Sequence, residues 1–184
     1  MTLKQLLTSL RNRLQEPDSS GRYSNAELVD YLNLGCKRVC RDLKPILKSA
    51  SVLLASGDDT AALPVDYLAF HSWTGSIIPS EGTDIVANLV IFPVSSDADV
   101  TLTLRYFALP TEMSSTVDPT GVTSEVPDRL FEGVILAAYF LALESDMDNR
   151  SLAISQDYQQ WVSRTYMDSS NKHYDDFRIK VAKR

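Results

Sequence analysis

The apolar residues of this chain change period twice, and that double switch constrains the fold more than any single motif. Up to about Lys44 they recur every three or four residues. From about Ser51 to Pro110 they come in short runs and alternations, and beyond Pro127 the helical spacing returns. The order is helix, helix, sheet, helix, helix. At 184 residues and 44% hydrophobic, the chain can bury one core of good size. The expected class is α+β: a four-helix bundle with a small antiparallel β-subdomain inserted between helices 2 and 3.

Local signals set the boundaries. Thr2 is placed to cap a first helix over 2–16, with Leu3, Leu6, Leu7, Leu10 and Leu14 at helical spacing. Pro17 and Gly21 end it. Ser24 and Glu27 form a capping box for a second helix reaching about Lys44, in which Gly35 predicts close approach of a neighbouring helix. In the middle third, Val52-Leu53-Leu54-Ala55 runs into the turn Ser56-Gly57-Asp58-Asp59, and Ile85 to Pro93 forms a second apolar run. The clearest strand is 99–107, with Val100, Leu102, Leu104 and Tyr106 on one face. Residues 111–125 are rich in Ser, Thr, Pro and Gly, and at about 15 residues they predict a functional or mobile loop. A strongly apolar helix follows from about Pro127 to Ser145, and a last one from about Arg150 to Ser169, with Ile154, Tyr158, Trp161, Val162 and Thr165 inward. The expected organisation is a helical pair over 1–48, a β-rich insertion over 49–110, a loop over 111–126, a second helical pair over 127–170 and a basic arm over 171–184.

Charge is segregated along the chain. Residues 1–48 hold nine Lys and Arg against five Asp and Glu, residues 49–170 four against seventeen, and residues 171–184 five against two. An acidic middle lacks the basic stripe that binding to phosphates requires. There is no apolar run of the roughly 18 residues a membrane span needs, and the N-terminus does not read as a signal peptide, so the chain is expected in a cytoplasm.

Catalytic and metal chemistry find no foothold. Cys36 and Cys40 lie one helical turn apart, but His71 and His173 are scattered and two further ligands are missing, so the pair reads as small buried residues in a reducing compartment. No phosphate-binding glycine loop and no nucleophile elbow are present. Asp146-Met147-Asp148-Asn149-Arg150 fails as a calcium loop because an arginine holds a ligand position and the turn glycine is absent. Asp58-Asp59 and Asp97/Asp99 fit solvated turns better than acid–base pairs. The chain is expected to be non-enzymatic, with no cofactor and no metal.

Several phrases together carry a resemblance. The capped helix containing Tyr31-Leu32-Asn33 comes first, then Leu63-Pro64-Val65-Asp66-Tyr67 and Arg105-Tyr106-Phe107-Ala108-Leu109-Pro110. The helix start at Val126-Pro127 and an aromatic final helix follow. In this order they resemble the head-to-tail adaptor (connector or neck) proteins of tailed bacteriophages, over most of the chain. The resemblance implies a structural virion protein of the neck, assembled in the host cytoplasm as a ring of twelve subunits. Its partners would be the portal protein above and tail or nozzle proteins below, with genomic DNA passing through the channel without sequence-specific binding and no membrane involved. Phe177, Arg178, Ile179, Lys180, Lys183 and Arg184 would then contact the portal, the arm ordering as it docks. Asp58, Asp59, Glu81, Asp84, Asp97 and Asp118 would face the channel or a neighbouring subunit, repelling phosphate so that DNA slides. The alternative function is a small-ligand-binding or regulatory module using the β-subdomain.

Overall fold

Thr2 starts the first helix as the sequence predicts. Its hydroxyl accepts from the Gln5 N–H and the Gln5 side chain accepts from the Thr2 N–H, a reciprocal cap for α1 (Leu3–Leu14). Ser24 and Glu27 repeat the device before α2 (Asn25–Leu43). The computed structural model describes the backbone of residues 1–16, 21–74, 83–86, 88–93, 97–114 and 119–181, with side chains through 168. Its described residues form an α+β fold with four α-helices and antiparallel sheets, in two units: residues 1–43 with 112–184, and residues 44–111.

In the helical unit, a single 3-10 turn at Asp128–Leu130 leads into α3 (Phe131–Ser145), and α4 covers Ser151–Val181. Helix α3 is apolar on every side and buried from Phe131 through Leu143 at all but a few positions, because it touches each of the other three helices. Gly35 of α2 marks a close approach to α3: a Cβ there would sit 2.7 Å from the Val134 carbonyl oxygen and 3.2 Å from the Ala138 nitrogen. The predicted close contact is thus backbone to backbone. Leu28, Leu32 and Val39 bury their side chains completely along the same helix, each stabilising the unit by about 1.5–3 kcal/mol.

Among its described residues the second unit holds two three-stranded antiparallel sheets, where one small sheet was expected. The first has the order β1 (Leu47–Leu54), β6 (Val100–Ala108), β3 (Tyr67–Thr74); the second has β2 (Thr60–Ala62), β5 (Leu89–Ile91), β4 (Asp84–Val86). Strand β6 shows the predicted alternation, with Leu102, Leu104 and Tyr106 buried and Thr101 exposed. Strand β1 begins at Leu47, earlier than its apolar run suggests, because Leu47 pairs with Phe107 and every residue to Leu54 stays in register. The apolar run 85–93 is two strands, not one. Asn88 takes φ 67° and folds it into a hairpin, a left-handed conformation that asparagine tolerates. Trp73 and Phe92 meet across the two sheets with ring centroids 6.1 Å apart.

Candidate functional site

The residues that carry the family-like phrases are internal ties. Tyr31 donates its hydroxyl to Ser145 Oγ at 2.7 Å, and Leu32 is fully buried. Asn33, also buried, donates from Nδ2 to the Met113 carbonyl at 2.9 Å and accepts the Met113 N–H on Oδ1 at 2.8 Å. Lys37 pairs with Glu112 one turn further along, which holds the Glu112 carboxyl below its ordinary pKa. Farther on, the Leu3 N–H donates to the Val122 carbonyl and the Lys4 N–H to that of Pro119, so the segment also caps the start of α1. The long polar segment after Pro110, expected to be a functional or mobile loop, is therefore tied near both ends to the helical unit; residues 115–118 lie outside the described set.

In the other unit two phrases converge on Asp66. Its carboxylate accepts from Lys48 Nζ at 2.9 Å and from the Tyr106 hydroxyl at 2.8 Å, while its carbonyl accepts the Leu109 N–H. The Tyr67 and Tyr106 rings stack 5.9 Å apart. Burial opposes the charge on Asp66, but the Lys48 and Tyr106 hydrogen bonds prevail and its pKa is lowered. Tyr106 is pushed up to about 12, by burial first and by Asp66 second. These atoms secure the point where the chain enters and leaves this unit.

Helix α4 is anchored by its first half. Gly133 of α3 leaves room for the Trp161 ring, which a Cβ would overlap. Tyr158 donates its hydroxyl to Asp42 at 2.6 Å, and burial with that bond raises its pKa. Arg38 stacks over both Phe140 and Tyr158, at 5.0 and 4.8 Å from their centroids, a role its sequence context did not mark. Beyond Thr165 the helix is exposed at Tyr166, Met167 and Asp168. Its backbone continues through the expected arm to Val181, correcting the helix end placed near Ser169, since no proline or glycine follows Ser151. Phe177, Arg178, Ile179 and Lys180 thus lie on the helical backbone, with side chains outside the described set; Lys183 and Arg184 lie outside it altogether.

The acidic candidates separate likewise. Asp58, Asp59, Asp84 and Asp97 are exposed, and Glu81 and Asp118 lie outside the described residues. The four are brought to one end of their unit. Ser56 donates its N–H to Asp99 and its hydroxyl to the Asp97 carbonyl, and Thr60, next to Asp59, shares Ile91 as register partner with Asp84. This end lies opposite the Asp66 cluster along strands β1 and β6, about 23 Å away at about 3.3 Å per residue.

Among the described residues no cluster of His, Cys, Asp and Glu could hold a metal ion, and no helix is long and apolar enough to cross a membrane. Cys36 and Cys40 are buried free thiols, raised to about 11 and about 12, chiefly by burial. No curated protein matches this sequence. A family model described as SU10 adaptor protein matches residues 1–175, nearly the whole chain. The chain belongs to the SU10 adaptor protein family, a family of phage head-to-tail adaptors.

Proposed function

We propose that this protein forms a ring, of twelve subunits, that docks beneath the portal, extends the DNA channel and offers the platform to which tail or nozzle proteins attach. The family match over residues 1–175 carries this reading. In it the four helices act as one bundle, and residues 44–111 are an insertion in its chain. The ring assembles in the host cytoplasm and ends in the virion neck. Its portal contact is the end of α4, with Phe177, Arg178, Ile179, Lys180, Lys183 and Arg184 as the contacting residues. Support comes from the helical continuity of α4 to Val181 and from the excess of basic residues after Asn171. Asp58, Asp59, Glu81, Asp84, Asp97 and Asp118 face the channel or a neighbouring subunit in the same reading. No catalysis is involved: function here is assembly geometry.

The test is mass. Purified protein is measured alone and after mixing with portal rings, by light scattering or native mass spectrometry. Binding in a fixed ring stoichiometry is the expected result, and removal of residues 171–184 should abolish it while leaving the circular dichroism of the rest intact. Full binding by the truncated protein removes the portal role from the arm, and a protein that ignores every portal sinks the ring.

A further inference from the structure

Strand β1 leaves one side of its backbone without a partner. The Ala108 N–H donates to the Ile46 carbonyl at 2.9 Å, one step beyond the β1–β6 register of Leu47 with Phe107. Hydrogen bonding alternates along an antiparallel pair. Lys48, Ala50, Val52 and Leu54 therefore direct their N–H and C=O groups at β6, and Leu47, Ser49, Ser51 and Leu53 direct theirs away from it. β1 is the edge of its sheet, and among the described residues no hydrogen bond reaches those outward groups. The side chains of the same four residues are exposed, Leu47 at 41% and Leu53 at 58%. The other edges are blunted: β3 carries two register shifts, and β2 and β4 are three residues each. β1 runs eight residues in continuous register with neither proline nor bulge. Its one charged side chain, Lys48, lies on the opposite face and pairs with Asp66.

The order of the side chains identifies what fits this edge. On its exposed face β1 presents Leu47, Ser49, Ser51 and Leu53, which reads the same in both directions. A second copy of the strand, turned antiparallel about Ala50, sets Leu47 opposite Leu53 and Ser49 opposite Ser51, each pairing occurring twice. Apolar and hydroxyl pairs of that kind stabilise antiparallel ladders. In the same register the outward N–H and C=O groups of the two copies face each other. Charge selects the same direction. Lys44 and Lys48 stand at the start of β1, where Asp66 offsets one of them, and Asp58, Asp59, Asp97 and Asp99 are exposed beyond its end. Antiparallel pairing brings the cationic end of each strand to the acidic end of the other, whereas parallel pairing would set like ends together. We propose that the β1 edge binds the β1 edge of a second copy of this chain, antiparallel about Ala50, joining their three-stranded sheets into one. Such a contact uses the same patch on both copies and closes at two. It is a form of the free chain, distinct from the subunit contact of a ring, and the ring reading does not depend on it.

Charge pairs placed by that register test it. Sedimentation velocity at low salt is run over a dilution series on the wild type, on Ser49→Lys with Ser51→Lys, and on Ser49→Glu with Ser51→Lys. The wild type should pass from dimer to monomer on dilution. In the first variant lysine faces lysine across the axis twice, and dimer affinity should fall by about tenfold or more. In the second, glutamate faces lysine twice, and affinity should equal or exceed that of the wild type. Both positions are exposed, so the thermal midpoints should match. Ala50→Cys is the independent check, because residue 50 of each copy meets its counterpart on the axis as a non-hydrogen-bonded pair, with Cα atoms about 4.5 Å apart. Mild oxidation should then yield a covalent dimer on a non-reducing gel. A wild type that stays monomeric, or that assembles directly into a larger species, overturns the contact. A dimer that the two double variants affect alike, or an Ala50→Cys protein that does not cross-link, does the same. Portal binding in fixed stoichiometry is weighed on the same proteins, and the adaptor reading stands or falls on that result alone.

Discussion

Asn33 holds a distant segment by both of its amide atoms, and that arrangement has a measurable value. Asn33→Ala would leave the buried Met113 N–H and carbonyl without their partner. An unmade buried hydrogen bond costs about 1–3 kcal/mol, so a loss of about 3 kcal/mol is expected, read as a lower urea midpoint. Gly35→Ala sets two effects against each other. Alanine favours the helix by about 1 kcal/mol, but its Cβ would press on the Val134 carbonyl, a backbone atom that cannot swing aside, and overpacking costs about 1–3 kcal/mol. Net destabilisation should result, and a gain in melting temperature would refute the close contact. Alkaline pH acts on several groups in one direction. Cys36, Cys40 and Tyr106 keep their protons to about 11, 12 and 12 in the folded protein. The unfolded chain releases them near about 8.5 for thiols and about 10 for tyrosine. Above those values the unfolded state binds fewer protons, so stability falls as pH rises toward 12. Denaturant midpoints measured upward from about pH 8 should show the decline, and Tyr106→Phe should flatten its upper part. The close approach at Gly35 and the burial of Cys36 and Cys40 were legible beforehand, but the Asn33 tie was not. Asn33 and Met113 are 80 residues apart, and a hydrogen bond over that separation leaves no periodic trace.

Elements were readable where periodicity or capping fixed them, and less so where a single residue decided. Strand β6 alternates through nine residues, and the two capping boxes mark the starts of α1 and α2, so those assignments needed nothing from the fold. The apolar run after Thr83 carries no alternation to betray a hairpin; only the backbone angle of Asn88 divides it. At α4 the Ser169-Ser170-Asn171 step reads as a stop, yet these are weak breakers, and the helix runs on. That extension makes a prediction at the same scale. Deleting residues 171–184 should lower the far-ultraviolet helix signal by about eleven residues' worth if α4 holds to Val181 in the free protein, since the isolated end of a helix frays readily. A signal per molecule that does not change places the helix end near Ser170 instead. Hydrogen exchange should also be faster beyond Thr165 than around Tyr158, where the side chain is buried and bonded to Asp42.

At the level of the whole molecule, charge is the property most out of proportion to the fold. Four of the carboxylates proposed for the channel or subunit interface lie at one end of residues 44–111, far along the strands from Asp66, and they are exposed. Because they are solvated turn and strand-end residues, replacing Asp58, Asp59, Asp84 and Asp97 by asparagine should leave stability within about 0.5 kcal/mol of the wild type. Any effect on function must then be electrostatic, and it reaches only about 8 Å at physiological salt. That short range makes the substitution diagnostic. If these carboxylates line the channel, DNA passing within a few ångströms loses a repulsive wall, and particles carrying the fourfold variant should release their genomes more slowly, with the difference shrinking as salt is raised. If instead these carboxylates face a neighbouring subunit, ring assembly itself should weaken and release kinetics in the surviving particles should match the wild type. Assembly and release both unchanged would leave these carboxylates as plain solvated surface and remove them from either role.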